Sequence, residues 1–205
     1  MSLANESLEN TYYALRHGHS IPNEQKLIVS HPEEGEKEQY GLTQKGRDQV
    51  TQSIRDALQL KVFGDMRIVL VSSPFKRAAE TTNITYRSIE SAQDTPPHAL
   101  VRNALRERYF GDFDGGLSDN YERVWALDAL DPEHTSHNVE SVVSVLQRQE
   151  QLLQMLEDTY CDACIILSGH GDPLQILETS FRGMDPSQHR ELPPLQNAEL
   201  RKLNK

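Results

Sequence analysis

Three short apolar runs, separated by stretches with helical periodicity, constrain the fold of this chain more than any other feature. The runs are Thr11–Leu15, Met66–Val71 and Ala163–Leu167. Each is rich in aliphatic or aromatic side chains, as expected of a strand that is buried on both faces of a sheet. Strands that alternate with helices predict an α/β fold with a largely parallel sheet.

The stretches between these runs predict the helices. Thr43 has the character of an N-cap, and apolar residues recur at helical spacing over Thr43–Leu60, at Val50, Ile54, Ala57 and Leu58. The sequence Ser72-Ser73-Pro74 predicts a second helix with a serine cap and the proline in its first turn. Further helices are predicted near Asp119–Leu130, over Val139–Tyr160 and from Asp172 to about Phe181.

Other segments read as non-helical. Ile21–Gly41 is polar and contains Pro22, Pro32 and Gly35, which predicts a long irregular loop over the functional site. Pro96–Leu105 is predicted to be extended. The glycines of the following stretch, Gly111, Gly115 and Gly116, predict a second loop.

Length, charge and cysteine content limit the class of protein. A chain of 205 residues is comfortable for one domain, so we predict a single domain over residues 1–205. The formal net charge of −10 argues against nucleic acid or an anionic membrane surface as the main partner. No run of about 18 apolar residues is present, so no membrane span is expected. Met1–Glu6 do not resemble a secretory signal, and Cys161 and Cys164 do not suggest a disulfide scaffold, which favours a cytoplasmic protein.

Arginine and histidine residues follow each of the three predicted strands. Arg16 and His17 follow the first, Arg77 follows the second, and His170 follows the third. The carboxyl ends of parallel strands meet at one edge of a sheet, where ligands of open α/β folds bind. An arginine can hold two phosphoryl oxygens, and a neutral histidine can attack phosphorus. The sequence therefore predicts a phosphate site with His17 as nucleophile, Arg16 and Arg77 as anion ligands and His170 as hydrogen-bond donor.

A carboxylate for proton transfer is found between two arginines, in Arg106-Glu107-Arg108. Hydrolysis of a phosphate monoester requires an acid for the departing oxygen, and Glu107 is the best candidate. Arg108 either contacts the substrate or only balances charge. A second anionic group could be bound by Lys26, Arg102 or Arg108, unless these are ordinary surface residues.

Neither a metal site nor a nucleotide site is indicated. Asp172 is interpreted as the cap of the helix that follows it rather than as a catalytic acid. No glycine-rich P-loop is present. The remaining histidines lack the spacing to acidic partners that is typical of metal ligands. They are His19, His31, His98, His134, His137 and His189.

These segments, taken in order, resemble motifs of the histidine phosphatase superfamily, the phosphoglycerate-mutase-like proteins. The similar segments are Leu15–Ser20 with Asn23, Ser72–Thr81, Leu105–Gly111 and Ser168–Gly171, and Gly41–Gly46 fits the start of the family's first helix. Together they span most of the chain. The resemblance implies an α/β three-layer sandwich, in which a mixed, mainly parallel sheet is flanked by helices.

The resemblance also implies roles for these residues. His17 would form a phosphohistidine intermediate, and Glu107 would protonate the leaving group and then act as a base for water. Arg16, Arg77 and His170 would complete the catalytic set. The substrate-binding set would comprise Arg16, Ser20, Asn23, Arg77, Arg108, His170 and Gly171. No metal or other cofactor is implied.

The resemblance leaves three activities open. The short stretch between Gly116 and Val139 favours a phosphatase of small phosphorylated metabolites over a cofactor-dependent phosphoglycerate mutase, which usually carries a longer insertion there. A catalytically silent phosphate-binding protein is the third alternative, although every expected reactive group is present. Two departures from the family pattern are Val139-Glu140-Ser141 in place of Gly-Glu-Ser, and His19 in place of Glu or Gln. A homodimer is left open.

Overall fold

A five-stranded sheet forms the centre of the molecule. The computed structural model describes residues 8–204, so the segment behind the expectation of no secretory signal lies outside the described residues. The strands are β1 (Thr11–Arg16), β2 (Arg67–Ser72), β3 (His98–Val101), β4 (Ala163–Gly169) and β5 (Leu200–Lys202). Their order is β3-β2-β4-β1-β5, in which β5 pairs antiparallel with β1 and the other described pairings are parallel. The predicted mixed, mainly parallel sheet is confirmed.

Helices flank the sheet. They are α1 (Ile21–Gln25), α2 (Pro32–Gly35), α3 (Gln44–Gln59), α4 (Lys76–Glu90), α5 (Tyr121–Asp128), α6 (Val142–Thr159) and α7 (Gly171–Arg182). As predicted, Thr43 caps α3, because its side chain accepts a hydrogen bond from the Gly46 N–H. Within residues 8–204, no helix has the length and apolarity needed to cross a bilayer.

The side chains of the central strands alternate between two hydrophobic cores. On one face, Ile165 and Leu167 of β4 pack with leucines of α6 and α7. On the other face, Cys164 and Ile166 pack with Val50, Ile54 and Ala57 of α3 and with Ile89 of α4. Because successive strand residues point to opposite faces, every position of β4 is buried, as its continuous apolar sequence predicts.

The prediction of an irregular loop over Ile21–Gly41 is wrong. This segment contains α1, α2 and a short 3₁₀ helix. Helices of four or five residues do not persist alone, and these are tied to a neighbouring segment. The Ser30 backbone and hydroxyl donate to Asp114 Oδ1 at 2.6 and 2.7 Å, and the Ile28 N–H donates to the Gly116 carbonyl at 2.9 Å.

The predicted start of the second long helix is also wrong. α4 begins at Lys76 with Phe75 as the residue before it, so neither Ser72 nor Ser73 caps the helix. Ser73 Oγ instead accepts a hydrogen bond from the Phe75 N–H at 3.2 Å and lies 2.9 Å from His170 Nε2. A residue interpreted as a helix cap therefore belongs to the functional site.

The helix predicted over Val139–Tyr160 begins at Val142, three residues late. Ser141 caps it by accepting a hydrogen bond from the Ser144 N–H. Val139 replaces the glycine common in the family, yet its φ of −73° and ψ of 140° are ordinary for any residue. The short strand β5 follows the predicted strands and was not expected from the sequence.

Candidate active site

His17 lies directly after β1 and is almost completely buried, with 3% of its surface exposed. Its Nδ1 is 2.8 Å from the Gly18 carbonyl, so Nδ1 carries the proton and Nε2 presents a lone pair. Arg77 Nε donates to this Nε2 at 3.2 Å. Burial first, and then the charges of Arg77 and Arg16, lower the pKa of His17 well below its usual value. His17 is therefore a neutral imidazole, and its Nε2 can act as a nucleophile once the hydrogen bond from Arg77 Nε is released.

The turn that carries His17 packs closely against α3, because the residues at the contact are glycines without side chains. A Cβ on Gly18 would lie 2.4 Å from the Gly46 carbonyl oxygen, and a Cβ on Gly46 would lie 2.0 Å from the His19 carbonyl oxygen. The Gly18 N–H donates to Thr81 Oγ1 of α4 at 3.2 Å. Two glycines thus allow the backbone of the turn to approach the helix closely.

Three buried nitrogen atoms around His17 have no hydrogen-bond partner. They are Arg16 Nε, Arg77 Nη1 and His170 Nδ1. The other bonds of the arginines fix their orientation: Arg16 Nη1 donates to the Leu195 carbonyl at 2.6 Å, and Arg77 Nη2 donates to the Val29 carbonyl at 3.1 Å. Unsatisfied buried donors are costly, and a phosphoryl group would satisfy all three. This cluster fits the binding of an oxyanion.

His170 faces His17 across the site and is oriented by a serine. The centroids of the two rings lie 5.3 Å apart at an angle of 64°. Because Ser73 Oγ already accepts the Phe75 N–H, its hydroxyl proton is available to His170 Nε2. Burial and the charge of Arg77 lower the pKa of His170, so the neutral ring carries its proton on Nδ1. Ser73 lies within the family-like segment Ser72–Thr81, but its contact with His170 was not predicted from the sequence.

Glu107 is the carboxyl group of the site. Its Oε1 accepts the Arg108 N–H at 3.1 Å, and its Oε2 accepts from Arg77 Nη2 at 3.3 Å and lies 3.5 Å from His170 Nδ1. Burial raises the pKa of Glu107 to about 7, although the charge of Arg77 opposes the shift. At neutral pH this carboxyl group can therefore give or take a proton.

A cavity of about 190 Å³ connects these groups to the surface of the protein. Arg16, His17, Arg77 and Glu107 line it, as do Asn23 and Gly171, which the sequence also predicted. Several other lining residues were not predicted from the sequence, among them Tyr121, Trp125, Gln175 and Arg190. The spacing of Tyr121 and Trp125 puts both on one face of α5 and could have shown that they act together.

Three predicted substrate-binding residues do not line the cavity: Ser20, Arg108 and His170, the last of which lies beside His17 and Glu107 of the lining. Ser20 is fully buried, and its hydroxyl donates to Asn23 Oδ1 at 3.0 Å, so it orients Asn23. Arg108 is also fully buried, and its two terminal nitrogens donate to both oxygens of Asp128 at 2.7 Å. Of the two alternatives for Arg108, its position supports charge balance and not substrate contact.

The other candidates for a second anionic group, Lys26 and Arg102, do not line the cavity either. Asp172 does line it, but it accepts a hydrogen bond from Trp125 Nε1 at 2.7 Å and lies 3.3 Å from His189 Nε2. Despite burial, the hydrogen bond and charge of His189, with the charges of Arg108 and Arg190, lower the pKa of Asp172, so it stays ionised and is no proton donor. The N-cap position of α7 belongs to His170 rather than to Asp172.

Within the part of the chain that the structure describes, no group of three or more His, Cys, Asp and Glu side chains could hold a metal ion. The buried acid Glu140 has a structural role instead. Its carboxylate accepts hydrogen bonds from Arg106 at 2.7 and 2.8 Å and from Arg148 Nε at 3.0 Å. These bonds anchor the segment that carries Glu107 to the start of α6.

The family model of the histidine phosphatase superfamily (branch 1) matches residues 12–204. No curated protein matches the chain.

Solved structures with a similar fold include two proteins named as phosphatases, and others that are not so named. A mycobacterial glucosyl-3-phosphoglycerate phosphatase has a TM-score of 0.72 and 19% identity, over 93% of this chain and 88% of that chain. A candidate alpha-ribazole-5'-P phosphatase of Escherichia coli has a TM-score of 0.68 and 20% identity, over 95% and 96%. The protein YhfR of Bacillus stearothermophilus has a TM-score of 0.73 and 19% identity, over 93% and 89%. At these identities, the similarity confirms the fold.

Proposed function

Because the chain belongs to the histidine phosphatase superfamily (branch 1), we propose that it is a metal-independent phosphatase of small phosphorylated metabolites. The observation that carries the proposal is the meeting, around His17 and beside one cavity, of a neutral imidazole, three unpartnered buried donors and a carboxyl group with a pKa of about 7. The phosphatase names of two structural neighbours are consistent with it.

In the first step, His17 Nε2 attacks the phosphorus atom of a phosphate monoester. A bond forms between Nε2 and phosphorus, and the bond between phosphorus and the ester oxygen breaks. Arg16, Arg77 and His170 donate hydrogen bonds to the phosphoryl oxygens, whose charge is redistributed in the transition state. Glu107 in its acid form gives its proton to the departing oxygen, so the product leaves as an alcohol.

In the second step, water hydrolyses the phosphohistidine. Glu107, now a carboxylate, takes a proton from water while the oxygen of that water bonds to phosphorus. The bond between phosphorus and Nε2 breaks, which restores neutral His17 and releases inorganic phosphate. The proton given in the first step is thus recovered in the second, and no other reactant is required.

The test is hydrolysis of an aryl phosphate with EDTA present, by the wild type and by His17→Ala. We expect the variant to lose turnover to background, and a phosphoryl label to remain on the wild type after rapid alkaline quenching. His98→Ala is the matched control, because His98 is exposed and does not line the cavity. Turnover that persists in His17→Ala would disprove the phosphohistidine route.

A further inference from the structure

Arg190 is a cation of the cavity wall that the phosphate chemistry does not use. It comes from the 3₁₀ turn Pro186–Glu191, which follows α7. Its guanidinium carbon lies 3.6 Å from the centroid of the Trp125 ring, and its Nη1 donates to Gln175 Oε1. Stacking and this hydrogen bond hold the guanidinium in a fixed orientation.

The charge of Arg190 is not neutralised by a carboxylate. In the described part of the chain, no Asp or Glu oxygen lies within ion-pair distance of it, in contrast to Arg47, Arg106, Arg108 and Arg148. Asp172 is close enough for the charge of Arg190 to help lower its pKa, but its carboxylate contacts Trp125, Arg108 and His189 rather than Arg190. Among the described residues, Gln175 is the one hydrogen-bond acceptor of the Arg190 side chain, which leaves Nε and Nη2 available to a ligand.

The surroundings of Arg190 favour an anion over a flat ring as its ligand. The guanidinium already covers one face of the Trp125 indole, and Tyr121 lies parallel to Trp125, with centroids 5.4 Å apart and an interplanar angle of 12°. A ligand in the cavity would contact the edge of the Arg190 guanidinium, whose geometry matches the two oxygens of a carboxylate or a phosphate.

The size of the cavity limits the ligand further. At about 190 Å³ it is smaller than the pockets that typically enclose drug-sized molecules, and His17 and Arg190 both line it. Arg190 is also close enough to Arg16 to contribute to lowering the pKa of that residue. A molecule with its phosphate on His17 would therefore bring a second group, only a few bonds away, to Arg190.

We propose that Arg190 binds a second anionic group of the substrate, so that the enzyme prefers compact phosphomonoesters that also carry a carboxylate or a second phosphate. This inference rests on the proposed phosphatase function. Arg190 would thus bind the second anionic group for which the sequence suggested Lys26, Arg102 or Arg108, none of which lines the cavity.

The test compares matched pairs of esters. The first pair is 3-phosphoglycerate and glycerol 3-phosphate, which differ in a carboxylate; the second pair is a sugar bisphosphate and the corresponding monophosphate. We expect the wild type to prefer the member of one pair that carries the additional anionic group by roughly ten-fold in kcat/KM, and Arg190→Gln to lose that preference through KM. The pair that responds identifies the second group as carboxylate or phosphate.

Arg123→Gln is the matched control, because Arg123 also stacks on an aromatic ring, Phe113, but lies outside the cavity. It should keep the wild-type preference. An equal loss on both members of each pair in Arg190→Gln would show that Arg190 only supports the Trp125 wall. A wild type that prefers neither 3-phosphoglycerate nor the bisphosphate over its partner ester would also overturn the proposal.

A second measurement keeps the inference separate from the proposed function. Calorimetry on the His17→Ala variant measures binding of the same esters without turnover. Tighter binding of the ester with the additional anionic group, lost when Arg190→Gln is added, would support the role of Arg190 even if the wild type hydrolysed none of the esters. Equal binding of both esters would contradict it whatever the wild type hydrolyses.

Discussion

Burial acts in opposite directions on the two residues that exchange protons or bonds with the substrate. It lowers the pKa of His17 and raises the pKa of Glu107 to about 7, because in both cases the neutral form is favoured away from water. A neutral imidazole is the form that attacks phosphorus, and a protonated carboxyl group is the form that assists the leaving group. One physical cause, desolvation, thus prepares a nucleophile and an acid in the same cavity.

The pH dependence of hydrolysis follows from the pKa of Glu107. Glu107 must be protonated to assist an alkyl leaving group, so kcat/KM for an alkyl phosphate should fall as the pH rises above about 7. Glu107→Gln should be slower on alkyl phosphates and should lack this alkaline decrease. Ionisation of the substrate near pH 6 affects both proteins equally.

An aryl phosphate serves as the control for this pH profile. Its leaving group needs little protonation, so the first step should depend less on Glu107. If Glu107→Gln kept the alkaline decrease of the wild type, or lost equal activity on alkyl and aryl esters, another group would be the acid.

The site residues that could be predicted from the sequence are those whose chemical type and position after a predicted strand both indicate a role in the site. His17, Arg77 and His170 were found in this way, and the structure brings them together. Arg190 follows no strand and belongs to no motif, so nothing in the sequence distinguishes it from a surface arginine. Arg108 could not be interpreted either, since its role depends on a partner, Asp128, twenty residues away in the chain.

The long helices and strands were predictable because each contains a characteristic pattern of apolar residues along its own sequence. The runs of β1, β2 and β4 and the periodicity of α3 reflect burial that each element shows along its own sequence. The helices α1 and α2 show no such pattern. They are too short to be stable alone and depend on contacts with residues 114–118, which no local signal reveals.

The contact between α3 and the turn of His17 gives a prediction at the scale of an element. Gly46→Ala in an ordinary helix would be stabilising by up to about 1 kcal/mol. Here the new Cβ would meet the His19 carbonyl oxygen at 2.0 Å, so α3 and the turn must separate. We expect a loss of about 1–3 kcal/mol in unfolding free energy.

The same displacement should reduce kcat/KM roughly ten- to a hundred-fold, because the turn carries the nucleophile. The measurements are urea unfolding and aryl phosphate hydrolysis. Lys45→Ala is the control, since Lys45 is exposed in the same turn of α3 and should change neither quantity. A Gly46→Ala protein more stable than the wild type would show that the close approach does not exist.

At the scale of the whole molecule, one buried network joins the cavity wall to the core. Arg108 pairs with Asp128 at the end of α5 and with Asp172 in the first turn of α7, and its Nε donates to the Glu140 carbonyl at 2.6 Å. His134 Nε2 lies 2.7 Å from Asp128 Oδ1. The helix that carries Tyr121 and Trp125 is therefore positioned by the ion pairs of Arg108, which does not line the cavity.

This network separates the two roles considered for Arg108. Arg108→Met keeps most of the volume of the side chain but leaves Asp128 and Asp172 buried without their cationic partner. Breaking a buried ion pair from one side costs about 3–5 kcal/mol, which corresponds to a melting temperature lower by on the order of 10 °C in a chain of this size. The exposed Arg87→Met should melt as the wild type does. A normal melting temperature with a raised KM in Arg108→Met would instead restore the substrate-binding role, whereas a lowered melting temperature would establish that Arg108 holds the cavity wall in place.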